Sequence, residues 1–146
     1  MEMNRITEEQ YIFGKLFKLV NEIQNVGNQV IDEVTIRQWF VLVTLKNIGH
    51  NKPTVTELAE FLGTTRQSTI QMIEVLQKKG YLDVMTSIKD KRSKTMELTK
   101  KTYTLFQERE EAGNDFLEKL FMDMNDDEIR ILHKTITLLL VNVNKI

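Results

Sequence analysis

Five times along this chain a Thr or Asn stands three residues ahead of a Gln or Glu, just before an apolar-periodic stretch. The pairs are Thr7 with Gln10, Thr35 with Gln38, Thr54 with Glu57, Thr64 with Gln67, and Asn125 with Glu128. In this pattern the first side chain satisfies free N–H groups of a helix start and the third reaches back to the cap, so each pair predicts a helix beginning. Stops match the starts. Gly49, Gly63 and Gly80 follow helical patterns where a left-handed residue is wanted, and Lys78 and Lys79 sit where the last carbonyls favour cations.

The predicted helices span roughly 8–27, 36–48, 54–62, 65–79, 100–122 and 126–144. The first carries Ile12, Leu16, Leu19, Val20, Ile23 and Val26 at helical spacing, widened by Phe13 and Phe17, and reads as a long, well-buried helix. Between 82 and 98 the period changes to two: Leu82 and Val84 alternate with polar neighbours, as do Met96 and Leu98, which predicts a small hairpin. The last helix has one broad stripe of Ile129, Leu132, Ile136, Leu139, Leu140 and Val143. It also has Ile131, Leu138 and Val141 off that stripe, more apolar surface than one small domain covers by itself. Both intrachain core and a dimer interface are open for it.

The 146 residues suit one domain with its own core. The absence of cysteine excludes disulfides, thiolate metal sites and cysteine chemistry. The polar start MEMNRITEEQ lacks the apolar core of a secretory signal and no stretch has the length of a membrane span, so a cytoplasmic location is expected. The net charge of −1 hides a division. Residues 51–103 hold ten cationic against six acidic side chains, a surplus of +4, while 1–50 carry −1 and 104–146 carry −4. A local positive surface is what phosphate contacts require.

That basic third contains two short helices with Gly63 between them, the spacing of a helix-turn-helix, followed by the hairpin as a wing. On the second helix Thr69, Met72, Ile73 and Leu76 form the inner face. Thr64 at the cap, with Thr65, Arg66, Gln67, Ser68, Ile70 and Gln71, is left for the outer surface. Their chemistry suits a duplex: Arg grips guanine, Gln reads adenine, hydroxyls reach bases or phosphates, and Ile meets thymine methyls. The hairpin tip SIKDKRSK adds Lys89, Asp90, Lys91, Arg92 and Lys94, where a wing would meet backbone or minor groove.

Residues 54–99, with TELAEFLG, TRQSTIQMIEVLQKKGYL and then Asp90-Lys91-Arg92 before Leu98-Thr99, resemble the MarR family of bacterial regulators. The likeness extends to two helices before the motif and two after it. It implies a mainly α fold, a winged helix-turn-helix with a two-stranded wing and N- and C-terminal dimerisation helices. In those terms 1–146 is a single domain, with dimerisation helices about 7–30 and 100–146 and a DNA-binding lobe about 35–99. The implied partners are double-stranded DNA, bound at a pseudo-palindromic operator, and a second copy of the chain, with no membrane. By the same resemblance Arg92 enters the minor groove, and Asp90 helps hold the wing and neighbouring arginines in place. The family often has a basic residue at Gln71, a small polar one at Ile70 and glycine at Thr102. The first two differences bear on base preference, the third on the start of the next helix.

Many members of the family it resembles release DNA when a small, often aromatic or anionic molecule binds between the dimerisation helices and the DNA-binding lobe, so the resemblance extends to such an effector. Phe13, Phe17, Trp39 and Phe40 are the aromatic candidates for such a pocket, and the same cluster also reads as ordinary core. No cofactor is implied. Neither His50 nor His133 has a partner at metal-ligand spacing, and no nucleophile or phosphate-loop motif appears, so no enzyme is expected. Asp126 and Asp127 read as first-turn acids of the last helix. The alternative reading is a winged-helix interaction module that has lost specific DNA binding.

Overall fold

In the computed structural model, which describes residues 4–49 and 52–146, the helix order is α1 (Arg5–Val30), α2 (Ile36–Ile48), α3 (Val55–Leu62), α4 (Arg66–Lys78), α5 (Lys100–Leu120) and α6 (Asp126–Val143). Between α4 and α5 lie β1 (Leu82–Thr86) and β2 (Lys94–Leu98), paired antiparallel with Leu82 opposite Leu98 and Val84 opposite Met96. His50 lies outside the described residues. Three of the five expected caps form as complete boxes, at Thr35, Thr54 and Asn125. Two shift. Asn4, not Thr7, caps α1 by accepting the Thr7 N–H, and Thr65, not Thr64, caps α4 by accepting the Ser68 N–H at 3.1 Å. Gly49, Gly63 and Gly80 all have positive φ. At Gly63 the left-handed turn lets the Thr64 N–H return to the Ala59 carbonyl at 3.1 Å, which stops α3 and aims the chain into α4.

The chain divides into two compact units, Met1–Ala112 and Gly113–Ile146, and the division falls within α5. The core of the first unit gathers Val41, Leu42 and Leu45 of α2, Leu58 of α3, Ile73 and Leu76 of α4, Leu82 and Met96 of the hairpin, and Leu105 and Phe106 of α5. The expected inner face of α4 holds: Thr69, Ile73 and Leu76 are buried and Met72 is half-buried. Each buried leucine contributes roughly 1.5–3 kcal/mol.

The expectation of a well-buried first helix is corrected, because only Gly27 of α1 is buried. Phe13 is 65% exposed and Phe17 62%, and Ile12, Leu19, Val20 and Val26 are each at least half exposed. The described residues of the first unit supply no element to cover this stripe, and α1 is anchored at its C-terminal end. There the helix passes so close to α2 that a Cβ on Gly27 would stand 2.7 Å from Ile36 Cγ1 and 3.0 Å from its Cβ. Gly27→Ala is therefore expected to lower stability by about 1–3 kcal/mol, although alanine is better by about 1 kcal/mol in a helix interior. A raised denaturation midpoint for this variant would show that the contact yields.

Thr102, expected to matter only to the start of α5, is a buried junction. Its hydroxyl donates to the Tyr81 carbonyl, while the Thr99 hydroxyl donates to the Gly80 carbonyl at 2.7 Å, so the exit of the wing clamps the turn between α4 and β1. Thr102→Val keeps the shape and removes this bond. The expected cost is about 1–2 kcal/mol, read as a lower melting temperature with an unchanged far-ultraviolet spectrum.

Nearby, the Arg109 guanidinium donates through Nε and Nη2 to the two carboxylate oxygens of Glu33. The hydrogen bond from Arg109 holds the Glu33 carboxyl below its usual range, and burial, with the neighbouring charges of Glu33 and Glu108, pushes the Tyr81 phenol up. In the second unit Asn125 caps α6, Asp126, Asp127 and Glu128 fill its first turn, and Arg130 pairs with Asp127 at 2.8 Å. None of the residues of α6 is buried. No helix among the described residues is long and apolar enough to cross a membrane.

Candidate nucleic-acid interface

Thr54 joins the wing to the helix pair. It caps α3, exchanging bonds with Glu57 at 3.2 and 2.7 Å, and its backbone forms an isolated bridge with Thr95 in β2. Lys52 adds an ion pair to Glu97 at 3.2 Å. The hairpin is thus pinned beside the start of α3.

Between α4 and the wing runs a cleft of about 320 Å³, lined by Arg66, Ile70, Ile73, Glu74 and Gln77 of α4, by Val84, Arg92, Ser93 and Lys94 of the hairpin, and by Thr54, Val55 and Thr56. Four residues singled out in the sequence meet here: Arg66, Ile70, Arg92 and Lys94. Glu74 and Gln77 lie on the same face but were not singled out. The signal was available, since 66, 70, 74 and 77 follow the helical repeat of three and four. Ile70 is half-buried, so its side chain is partly withdrawn from the outer surface. Arg66, Gln67 and Gln71 are exposed. Thr65 and Ser68 are tied to each other, the Thr65 hydroxyl donating to Ser68 Oγ at 3.0 Å, and Thr64 is half-buried in the turn. Together these residues give the start of α4 a polar outer surface with one guanidinium, while its buried Thr69 bonds back to the Thr65 carbonyl at 2.9 Å.

The wing tip is built around Asp90. Its carboxylate accepts the Arg92 N–H at 2.9 Å and the Ser93 hydroxyl at 3.1 Å, its own N–H reaches Ser87 Oγ at 3.4 Å, and the Ser87 N–H closes the loop on the Ser93 carbonyl at 2.8 Å. Among the described residues Asp90 makes no ion pair with Arg66 or Arg92. It orders the tip through the backbone and leaves the guanidinium groups free to meet a phosphate or a groove. Lys89 and Asp90 also border a second, more open cavity of about 890 Å³ on the other side of the wing, with Phe61, Met85 and Ile88. Lys91 lines neither cavity.

The four aromatic candidates do not gather. Phe13 and Phe17 stack edge to face with centroids 5.1 Å apart, Trp39 packs instead on Phe106, also at 5.1 Å, and Phe40 is more than half exposed. None of them borders either cavity. Among the described residues, no group of three or more His, Cys, Asp or Glu is placed to hold a metal ion.

Residues 33–93, from the end of the α1–α2 connection through the wing tip, match the MarR family. Solved structures of similar fold include MarR-family transcriptional regulators. A MarR/EmrR family transcriptional regulator from Acinetobacter sp. ADP1 superimposes with a TM-score of 0.83 at 16% identity, over 94% of this chain and 98% of that one. MepR of S. aureus, in a complex with DNA, gives 0.78 at 17% identity, over 90% and 96%. A mutant MarR from E. coli, complexed with operator DNA, gives 0.79 at 21% identity, over 94% and 99%.

Proposed function

We propose that this chain, with its MarR-type fold, is a sequence-specific DNA-binding regulator that acts as a homodimer on a pseudo-palindromic operator. The observation that carries the reading is the convergence of Arg66 from α4 with Arg92 and Lys94 from the wing beside a helix whose opposite face is locked into the core. A duplex lying across α4 and the wing is met by hydroxyls and amides at the helix and by cations at the hairpin. In this assignment Arg66, Gln67 and Gln71 read base edges and Thr64, Thr65 and Ser68 position the backbone. Lys89, Lys91 and Lys94 contact phosphates, and Arg92 enters the minor groove from a tip that Asp90 holds in shape. Ile70 contributes apolar contact at the cleft.

Two copies are needed because one recognition helix reads only a half-site. The exposed apolar stripes of α1 and α6 support the pairing: each helix carries large apolar side chains that are half exposed or more among the described residues, a pattern that suits a covering partner. The DNA complexes of the S. aureus and E. coli proteins support the choice of nucleic acid as partner. The division of labour follows, with dimerisation helices about 7–30 and 100–146 and a DNA-binding lobe about 35–99, acting in the cytoplasm. Release by a small aromatic or anionic effector belongs to the same proposal and acts only through different affinities for two spacings of the recognition helices.

Selection of bound duplexes from a random library tests the reading. A recovered motif with two related half-sites about one helical turn apart, roughly 34 Å, is the expected result. Recovery of no enriched sequence, with no salt-dependent retention of any duplex, would reject it.

A further inference from the structure

Three separately anchored parts of the first unit meet at Glu33. Its neighbours Ile31 and Val34 are buried, and Asn28 accepts the Ile36 N–H at 2.7 Å, so the connection between α1 and α2 is a fixed platform. From this platform the carboxylate takes both arms of the Arg109 guanidinium of α5, Nε at 3.1 Å from Oε2 and Nη2 on Oε1. The Glu33 backbone carbonyl accepts from Lys79 Nζ at 2.9 Å, at the C-terminal end of α4. Lys79 therefore reaches across to the platform and does not serve the carbonyls of its own helix. Lys101 of α5 takes over that task, donating to the Lys79 carbonyl at 2.6 Å with its ammonium 4.5 Å from the Tyr81 ring centroid. Each end is fixed by buried neighbours, Leu76 and Tyr81 around Lys79, Leu105 and Phe106 before Arg109.

We propose that Glu33, Arg109 and Lys79 form a strut that sets the angle of the recognition helix α4 against α5, and through it the operator spacing that a dimer accepts. They are positioning residues and touch no DNA. An ion pair about a third exposed adds little to stability, whereas a two-armed guanidinium–carboxylate pair fixes orientation. A helix free to swing would meet wrongly spaced half-sites with less penalty, so the strut converts rigidity into discrimination. The inference rests on the DNA-binding reading above.

The test compares the parent protein, Arg109→Gln, Arg109→Lys and Glu33→Gln on the duplex recovered by selection, on a duplex with one half-site, and on versions with one or two base pairs added or removed between half-sites. The parent should lose about tenfold or more in affinity at a wrong spacing. Arg109→Gln should lose much less, with its single half-site affinity unchanged, and Arg109→Lys, which keeps the charge without the fork, should fall between. A folded Arg109→Gln protein with the parent's spacing profile overturns the strut. If that variant does not fold, Glu33→Gln carries the same comparison, with the same two outcomes. A parent that binds no duplex rejects the DNA-binding reading, and the strut falls with it, while a parent that binds and discriminates leaves only the strut in question.

Discussion

Replacing Leu140 by Glu is expected to turn the dimer into folded monomers and to lower affinity for the selected duplex by about 100-fold or more. Leu140 is 61% exposed on the apolar stripe of α6, so its loss removes nothing from the core of the single chain. In a dimer interface, however, the new carboxylate would be taken from water with no cation provided for it, at a cost of several kcal/mol. Monomers then grip one half-site each and lose the gain from holding two half-sites at once. Sedimentation equilibrium and a duplex titration read the two effects separately. A Leu140→Glu protein that remains dimeric and binds as the parent does would remove α6 from the interface. A parent that is itself a stable monomer would remove the dimer altogether.

The parts of this fold that were legible in the sequence are those set by local chemistry. The box at Thr35 announces α2 to the residue, and period-two alternation marks the two arms of the hairpin, whose register the structure then supplies with Leu82 opposite Leu98. The shift from Thr64 to Thr65 shows the limit of that logic. Only Thr64 has a Gln three residues on, yet the turn at Gly63 draws the Thr64 N–H back to Ala59, and Thr65, followed by Ser68, caps the helix instead. Burial was misjudged at α1 because an apolar stripe reports that a face will be covered and not by what. Thr102 and Lys79 were undervalued for another reason. Their bonds run to Tyr81 and Glu33, 21 and 46 residues away, and no local pattern carries such distances. Within the interface, Arg66 and Arg92 were legible as chemistry, while Glu74 and Gln77 were visible only once the wing was seen to close on that face of α4.

The wing offers a comparison in which charge and geometry predict opposite results. Arg92→Ala removes one cation per protomer from the minor groove, where it displaces counterions without pairing one phosphate, so a dimer should show a shallower salt dependence, by no more than the roughly 1.8 in log–log slope that two lost phosphate contacts would give at about 0.9 each. It should also bind the selected duplex about 10–100-fold more weakly, a loss of roughly 1–3 kcal/mol. That result alone would also suit a loose cationic loop. Asp90→Ala separates the two, because it makes the tip more positive while removing the carboxylate that takes the Arg92 N–H and the Ser93 hydroxyl. A tip acting only as charge would bind DNA more tightly after this change and with a steeper salt dependence. An ordered tip that delivers Arg92 to one place would bind the selected duplex more weakly, because an unstructured loop must be fixed again on binding, while random duplex is held as well as before or better. Equal tightening of Asp90→Ala on both duplexes would reduce the wing to a patch of charge and leave recognition to α4.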